Sequence, residues 1–206
     1  MIEVTVGELA PHELEYAIAV LGCGYRDTPL SLAIYGDDDP DRRLRSVARV
    51  MGRRISPMEP PPLVARRGGV IVGVCGMTPP GACQLSASKR ERAAAADQSG
   101  SSSMMKVLEV LAEWDRHHPD EPHWHLGPVA VEPDLQGIGI GGKMLERFCE
   151  MVDAEGGMAF LETDQADNVP LFERFGFVTV DETEVIGVRD WFMRREPKQH
   201  GEAKDG

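Results

Sequence analysis

The residues most able to do chemistry lie between 131 and 145, where the chain reads VEPDLQGIGIGGKML. Gly137, Gly139, Gly141 and Gly142 lead from a strand ending near Val131 into a helix. Glycine carries no side chain, so the backbone N–H groups of this loop can approach a phosphate closely. The N-terminus of the following helix adds unpaired donors and a partial positive charge. Together they form an anion site that needs no Lys or Arg, suited to the phosphates of a nucleotide-bearing cofactor.

Three readings of the loop compete. Gly137, Gly139 and Gly142 spell GxGxxG, and Glu162 lies 20 residues beyond Gly142 at the end of the next strand, as in a dinucleotide fingerprint. Against it, Pro133 and four other residues separate Val131 from Gly137, and about 65 residues after the loop are too few to complete a doubly wound sheet. A second reading has the glycines only permitting a tight turn and close packing. The third is an acyl-CoA site. Gln136-x-x-Gly139-x-Gly141, preceded by Val129-Ala130-Val131 and followed by Lys143-Met144-Leu145, resembles the Q/R-x-x-G-x-G/A motif of the GNAT acetyltransferase superfamily. The run from HWHLGPVAVEPDLQG through FLETD and NVPLFERFGF to DWFMRREP is similar to the puromycin N-acetyltransferase branch of that superfamily, and YRDTPL and DPDRRLRSV resemble it more weakly.

The resemblance implies an α/β fold: a mostly antiparallel twisted sheet with two splayed central parallel strands, flanked by helices. It implies acetyl-CoA, or another acyl-CoA, as cofactor. Pantetheine would pair with the backbone of Val129, Ala130 and Val131 like an added strand. The pyrophosphate would lie on Gln136, Gly137, Ile138, Gly139, Ile140, Gly141 and Gly142, and Asn168 would reach the pantetheine arm. The implied reaction is transfer of an acetyl group to a small-molecule amine by direct attack, with an oxyanion contact from a backbone N–H near Val131. A Tyr that often protonates the departing sulfur is replaced here by Phe172, which departs from the pattern and keeps a rival reading open, a non-catalytic acyl-CoA-binding protein of the same fold. Phe172 is counted with the cofactor-lining residues, and core packing is its plainer role.

Some members carry a Glu where this chain has His125. Imidazole titrates in the range that suits a base taking a proton from an ammonium, and the competing reading is a strand histidine with a backbone partner. Glu162, Asp164 and Glu113 are further candidates, read as solvated or structural carboxylates. Tyr25 or Tyr35 is placed to line an acceptor pocket. His117, His118, His123 and His125 cluster beside Asp120 and Glu121. A metal site there needs a helix end, a Pro-containing loop and a strand to converge, with no cysteine among them, so no metal is expected. Arg42, Arg43, Arg45, Arg49, Arg53 and Arg54 read as a solvated helix face that could instead neutralise an acidic acceptor.

The elements that must position these residues follow from periodicity. Strands are expected at 2–6, at 63–67 and 70–77 around a Gly68-Gly69 turn, at 123–131, at 158–163, and as a closing hairpin over 177–185 and 188–194. Helices are expected at 11–21, broken by GCGYRDTPL, and at 41–55, 104–116, 141–155 and 168–175. One acetyltransferase domain over 1–195 is expected, with a polar mobile insertion at 84–103 and a disordered tail at 196–206. With 206 residues, 42% hydrophobic and 27% charged, the chain supports a real core. Its net charge of −12 argues against nucleic acid or an anionic membrane as main partner. The absence of a signal-like N-terminus, of long apolar runs and of a CxxC pair among Cys23, Cys75, Cys83 and Cys149 leads to the expectation of a cytoplasmic protein. A homodimer is consistent with the superfamily, in which dimers are common.

Overall fold

A computed structural model describes residues 3–82 and 102–198. Seven strands form one sheet: β1 (Val4–Glu8), β2 (Leu63–Arg67), β3 (Val70–Thr78), β4 (Trp124–Val131), β5 (Ala159–Thr163), β6 (Val178–Val185) and β7 (Val188–Arg195). Their order across the sheet is β1-β2-β3-β4-β5-β7-β6. Every neighbouring pair is antiparallel except β4 and β5, which are parallel. The expected α/β architecture is therefore observed. The hairpin between β2 and β3 turns on Gly68 and Gly69, with φ of 61° and 82°, the left-handed conformation a two-residue turn requires.

Among the described residues six helices flank the sheet: α1 (Leu14–Tyr25), α2 (Pro29–Tyr35), α3 (Pro40–Ile55), α4 (Ser102–His117), α5 (Ile140–Ala154) and α6 (Val169–Glu173). On one face α5 buries Met144, Leu145, Phe148 and Val152 against Val72, Met77, Leu126 and Leu161 of the strands. On the other, α1 and α3 pack Val20, Leu21, Val47, Met51 and Ile55 over Val64, Ile71 and Val74.

Three expectations need correction. The first strand, expected to end at residue 6, continues to Glu8 in Val4–Glu8, because its register places Val6 opposite Ala65 and Glu8 opposite Leu63; residue 2 of the expected span lies outside the described residues. The first helix does not break at Gly22-Cys23-Gly24. A Cβ on Gly24 would come 2.6 Å from the Ala130 Cβ, and one on Gly22 3.2 Å from the Ala48 Cβ. These glycines let α1 lie close on β4 and α3, and packing outweighs their low helix propensity. The segment after them is also not all loop. Thr28 caps α2 by accepting from the Ser31 N–H at 3.4 Å, Pro29 occupies the first turn, and Gly36 at φ 83° ends it. Most of the insertion expected at 84–103 lies outside the described residues, its last two positions opening α4; residues 199–206 of the expected tail also lie outside them.

Candidate active site

β4 and β5 pair only at Trp124 with Ala159 and His125 with Phe160. Beyond that point the strands part. β4 is distorted there: the register against β3 slips between Cys75 and Met77, opposite Gly127 and Pro128. Pro128 has no N–H to give a ladder, and a Cβ on Gly76 would come 2.7 Å from the Pro128 ring. The gap opens into a cavity of about 170 Å³. Tyr25 of α1, Tyr35 of α2, Arg54 of α3, Trp114 of α4, Glu162 of β5 and Phe172 of α6 contribute to its wall.

On its β4 side the cavity meets an amide without a strand partner. The Val129 N–H donates to the Tyr25 hydroxyl at 3.0 Å. Successive strand residues point their amides to opposite edges, so the Val131 N–H faces the same gap. Burial raises the Tyr25 phenol to about 12, so it is a hydroxyl, not a phenolate, at any ordinary pH. Further along, the Gln136 side-chain amide donates to the Val131 carbonyl at 3.1 Å and ties the loop to the strand end. Gly137 and Gly139 take φ of 77° and 89°, and a Cβ on either would meet nothing within 4 Å. Gly139 is the N-cap of α5, and no side chain caps the helix. The Lys143 ammonium is directed away, donating to the Val4 carbonyl at 3.3 Å. The loop thus presents open backbone to solvent beside the strand gap.

On its β5 side the cavity is acidic. Glu162 was expected to be solvated or structural; its side chain is only 5% exposed and its Oε1 lies 3.6 Å from Arg54 Nη2. Its Oε2 is 3.2 Å from His125 Nε2, an ion-pair approach rather than an aligned hydrogen bond. Burial pushes the Glu162 pKa up more than any other influence, yet the pull of His125, Arg54 and His118 leaves it below the ordinary 4.5. Asp164 accepts from the Leu30 N–H at 2.8 Å, and burial raises its pKa. Asp190, which sequence reasoning passed over, is fully buried on β7; its Oδ2 accepts from the Trp114 indole N–H at 3.0 Å and its Oδ1 has no partner. Burial, with Asp164 and Glu162 nearby, raises Asp190 to about 7. No local sequence signal marks it, since DW in a closing strand reads as a turn or surface acid.

Among the expected site residues, Asn168, Val129 and Phe172 line the cavity, as do Tyr25 and Tyr35. Phe172 is also a core residue, 7% exposed and set edge-on to Phe177 at 6.0 Å. His125 is buried behind Glu162 rather than on the cavity wall. Glu113 is structural, accepting from the Thr183 hydroxyl at 2.7 Å and pairing with Arg116 and His117. The arginine run is not wholly a solvated face: Arg43 is 4% exposed and donates to the Arg26 and Gly36 carbonyls and to Asp27. Burial raises the Cys23 thiol, which gives no activated nucleophile.

A mostly antiparallel sheet whose one parallel pair parts over a cavity, beside a helix opened by glycines, defines an acyltransferase class of fold. The description "Acetyltransferase (GNAT) family" matches residues 32–177, and the chain belongs to that family. A curated relative, an uncharacterized N-acetyltransferase of Schizosaccharomyces pombe, is 37% identical over 70 residues, a match spanning 34% of this chain and only 26% of the relative. Among solved structures, a histone acetyltransferase and related acetyltransferase from Corynebacterium glutamicum superposes with a TM-score of 0.69 at 21% identity, covering 96% of this chain and 97% of that one. The polyamine N-acetyltransferase of Drosophila melanogaster gives 0.68 at 15% identity, covering 94% and 100%. A GNAT family acetyltransferase from Brucella melitensis in complex with acetyl-CoA gives 0.53 at 16%, covering 95% and 89%. At these identities the structural likeness concerns the fold.

Proposed function

We propose that this protein transfers an acetyl group from acetyl-CoA to the amine of a small molecule. The observation that carries the reading is the strand gap itself, with the Val129 amide on one side and the Glu162 carboxylate on the other of one cavity. The residues present fit an acyl-CoA: uncapped backbone donors at α5, glycines with open space above them, and a β4 amide, that of Val129, held by the Tyr25 hydroxyl rather than by a neighbouring strand. When bound, that group supplies an acetyl carbonyl activated as a thioester. Gly137 to Gly142 hold the phosphates through backbone N–H groups, and Asn168 reaches the pantetheine arm.

The acidic end of the cavity draws in an ammonium group, with Glu162 and Asp164 as its counter-charges and the apolar wall around Trp114 taking the rest of the molecule. Glu162, backed by His125, accepts the proton that must leave before the amine nitrogen can attack; the two groups act as a coupled pair. The Val129 N–H turns from the Tyr25 hydroxyl to the carbonyl oxygen and stabilises its developing charge. As the thioester C–S bond breaks and CoA leaves as its thiolate, Tyr25, held protonated, would offer the departing sulfur the hydrogen bond that Phe172 cannot supply. Similarity to enzymes named for polyamines, agmatine and arylalkylamines supports a small amine as acceptor. Within the family we place the chain nearest the puromycin N-acetyltransferase-like branch, on the segments around Gln136 and Phe172. We assign one acetyltransferase domain and a cytoplasmic setting, the latter supported by free Cys23, Cys75 and Cys149.

A thiol-release screen with acetyl-CoA against a panel of amines tests the activity. Turnover should fall about 10²–10⁴-fold in Glu162→Gln with CoA affinity unchanged. Phe172 favours the second reading, a binding protein of the same fold. CoA binding with no turnover on any amine establishes that alternative and overturns the enzyme.

A further inference from the structure

The four-histidine cluster near the end of α4 divides in the structure. His117 is committed: Nδ1 lies 2.9 Å from Asp181, Nε2 3.0 Å from Glu113, and the ring stacks on Phe192. The other three converge. His118 follows the helix end, His123 lies in the Pro-containing loop and His125 on β4. One ring nitrogen from each lies within 4.8 Å of the other two.

The hydrogen bonds around them fix which nitrogens face inward. His118 Nδ1 lies 3.1 Å from the Pro119 carbonyl, and His123 Nδ1 lies 2.7 Å from the Glu121 carbonyl. A carbonyl only accepts, so each Nδ1 carries the proton and each Nε2 presents a lone pair. Yet the two Nε2 atoms face each other at 3.1 Å. Two lone pairs at that distance repel unless a cation stands beside both. A shared proton would satisfy two rings but gives no reason for a third. A metal ion accounts for all three. Nitrogens bound to one tetrahedral zinc at about 2.0–2.1 Å lie roughly 3.3 Å apart, close to the separation of the His118 and His123 nitrogens. The third nitrogen has at most about 1.5 Å to close. The outer partners are those of metal-bound imidazoles: a backbone carbonyl on His118, another on His123, and the Glu162 carboxylate beside His125. The net charge of −12 favours a cation.

We propose that His118, His123 and His125 form a three-histidine site for Zn²⁺, with a fourth position for water, directly behind the acidic wall of the cavity. The expectation of no metal rested on the improbability of a helix end, a loop and a strand converging, and these three do converge. One consequence rests on the proposed acetyl transfer: an ion holding His125 removes the proton acceptor behind Glu162, so zinc lowers turnover.

Binding is tested without reference to activity. Protein stripped with a chelator is titrated with Zn²⁺ by calorimetry, and with Co²⁺ by the visible band of tetrahedral cobalt. One ion per chain is expected, with that band. His118→Ala and His123→Ala should each weaken binding by more than the 10–100-fold, roughly, that loss of an outer partner costs, while His117→Ala leaves it unchanged. Circular dichroism of each variant separates lost binding from lost folding. No heat and no cobalt band in the wild-type protein, or binding unaltered in a folded His118→Ala, overturns the site and leaves the pair joined by a shared proton. Zinc binding in a chain that acetylates nothing even after the ion is stripped would sink the acetyl-transfer reading and leave the metal site standing.

Discussion

Asp190→Asn is the sharpest probe of the buried acid on β7. Its carboxyl has an ordinary pKa of 3.8, moved to about 7 in the fold. The folded state therefore resists ionising a group that the unfolded chain ionises freely. Below 3.8 both states are protonated and there is no penalty. Between 3.8 and about 7 the penalty grows with pH, and above 7 it is complete. The full shift of about three units corresponds to roughly 4 kcal/mol at 1.36 kcal/mol per unit, a large share of the 5–15 kcal/mol, approximately, that holds a domain together. Asparagine keeps an oxygen for the Trp114 indole and cannot ionise. Its N–H₂ replaces the partnerless Oδ1 and costs about 1–3 kcal/mol at every pH. The pH dependence is thus the diagnostic, and the absolute stability is not. Urea denaturation at pH 4 and pH 8 should show the variant gaining about 4 kcal/mol on the wild type between those two values, equivalent to a relative rise in Tm of roughly 10 °C. Parallel stability curves for the two proteins would refute the placement of an unpaired carboxyl in the core.

The other predictions concern the cofactor and the sulfur. Gly139→Asp puts a negative charge in the open space above the loop, at φ 89°; calorimetry should show CoA affinity lost in this variant and largely kept in Gly139→Ala, which shares the backbone strain without the charge. Tyr25→Phe removes the hydroxyl that takes the place of the missing acid at Phe172 and should lower kcat by about 10²–10⁴-fold in steady-state assays, the usual worth of a positioned general acid; unchanged kcat would remove Tyr25 from the chemistry. Phe172→Tyr adds a hydroxyl to a ring that both lines the cavity and packs on Phe177. If the hydroxyl meets the cavity, turnover should rise about tenfold; a lowered Tm with no gain in rate would show that it points into the core, where an unpaired hydroxyl costs about 1–3 kcal/mol.

Local pattern determined a great deal of this protein. The Gly68-Gly69 hairpin, the amphipathic face of α5, the closing hairpin and the glycine loop after Val131 are each written in a few consecutive residues. There the physical causes, left-handed turns, a 3.6-residue apolar stripe and alternation, act within one element. The ordered segments from His123 to Arg195 carried the family as well. What the sequence misjudged depends on partners far along the chain. Gly22 and Gly24 read as a break because propensity is local, whereas the approach of α1 to Ala130 is not. The distortion of β4 did have a local signal, Pro128 within a central strand, but its effect, a Val129 amide that donates to Tyr25 instead of to a neighbouring strand, joins residues 104 apart. Burial decided the rest. A carboxylate is expected at the surface unless paired, and only the packing of β5 and β7 against the N-terminal helices shows that Glu162 is held between His125 and Arg54 while Asp190 keeps one oxygen bare. Desolvation and charge proximity are properties of assembled space, so the chemistry of this cavity was fixed by tertiary structure even where every residue in it had been visible in the sequence.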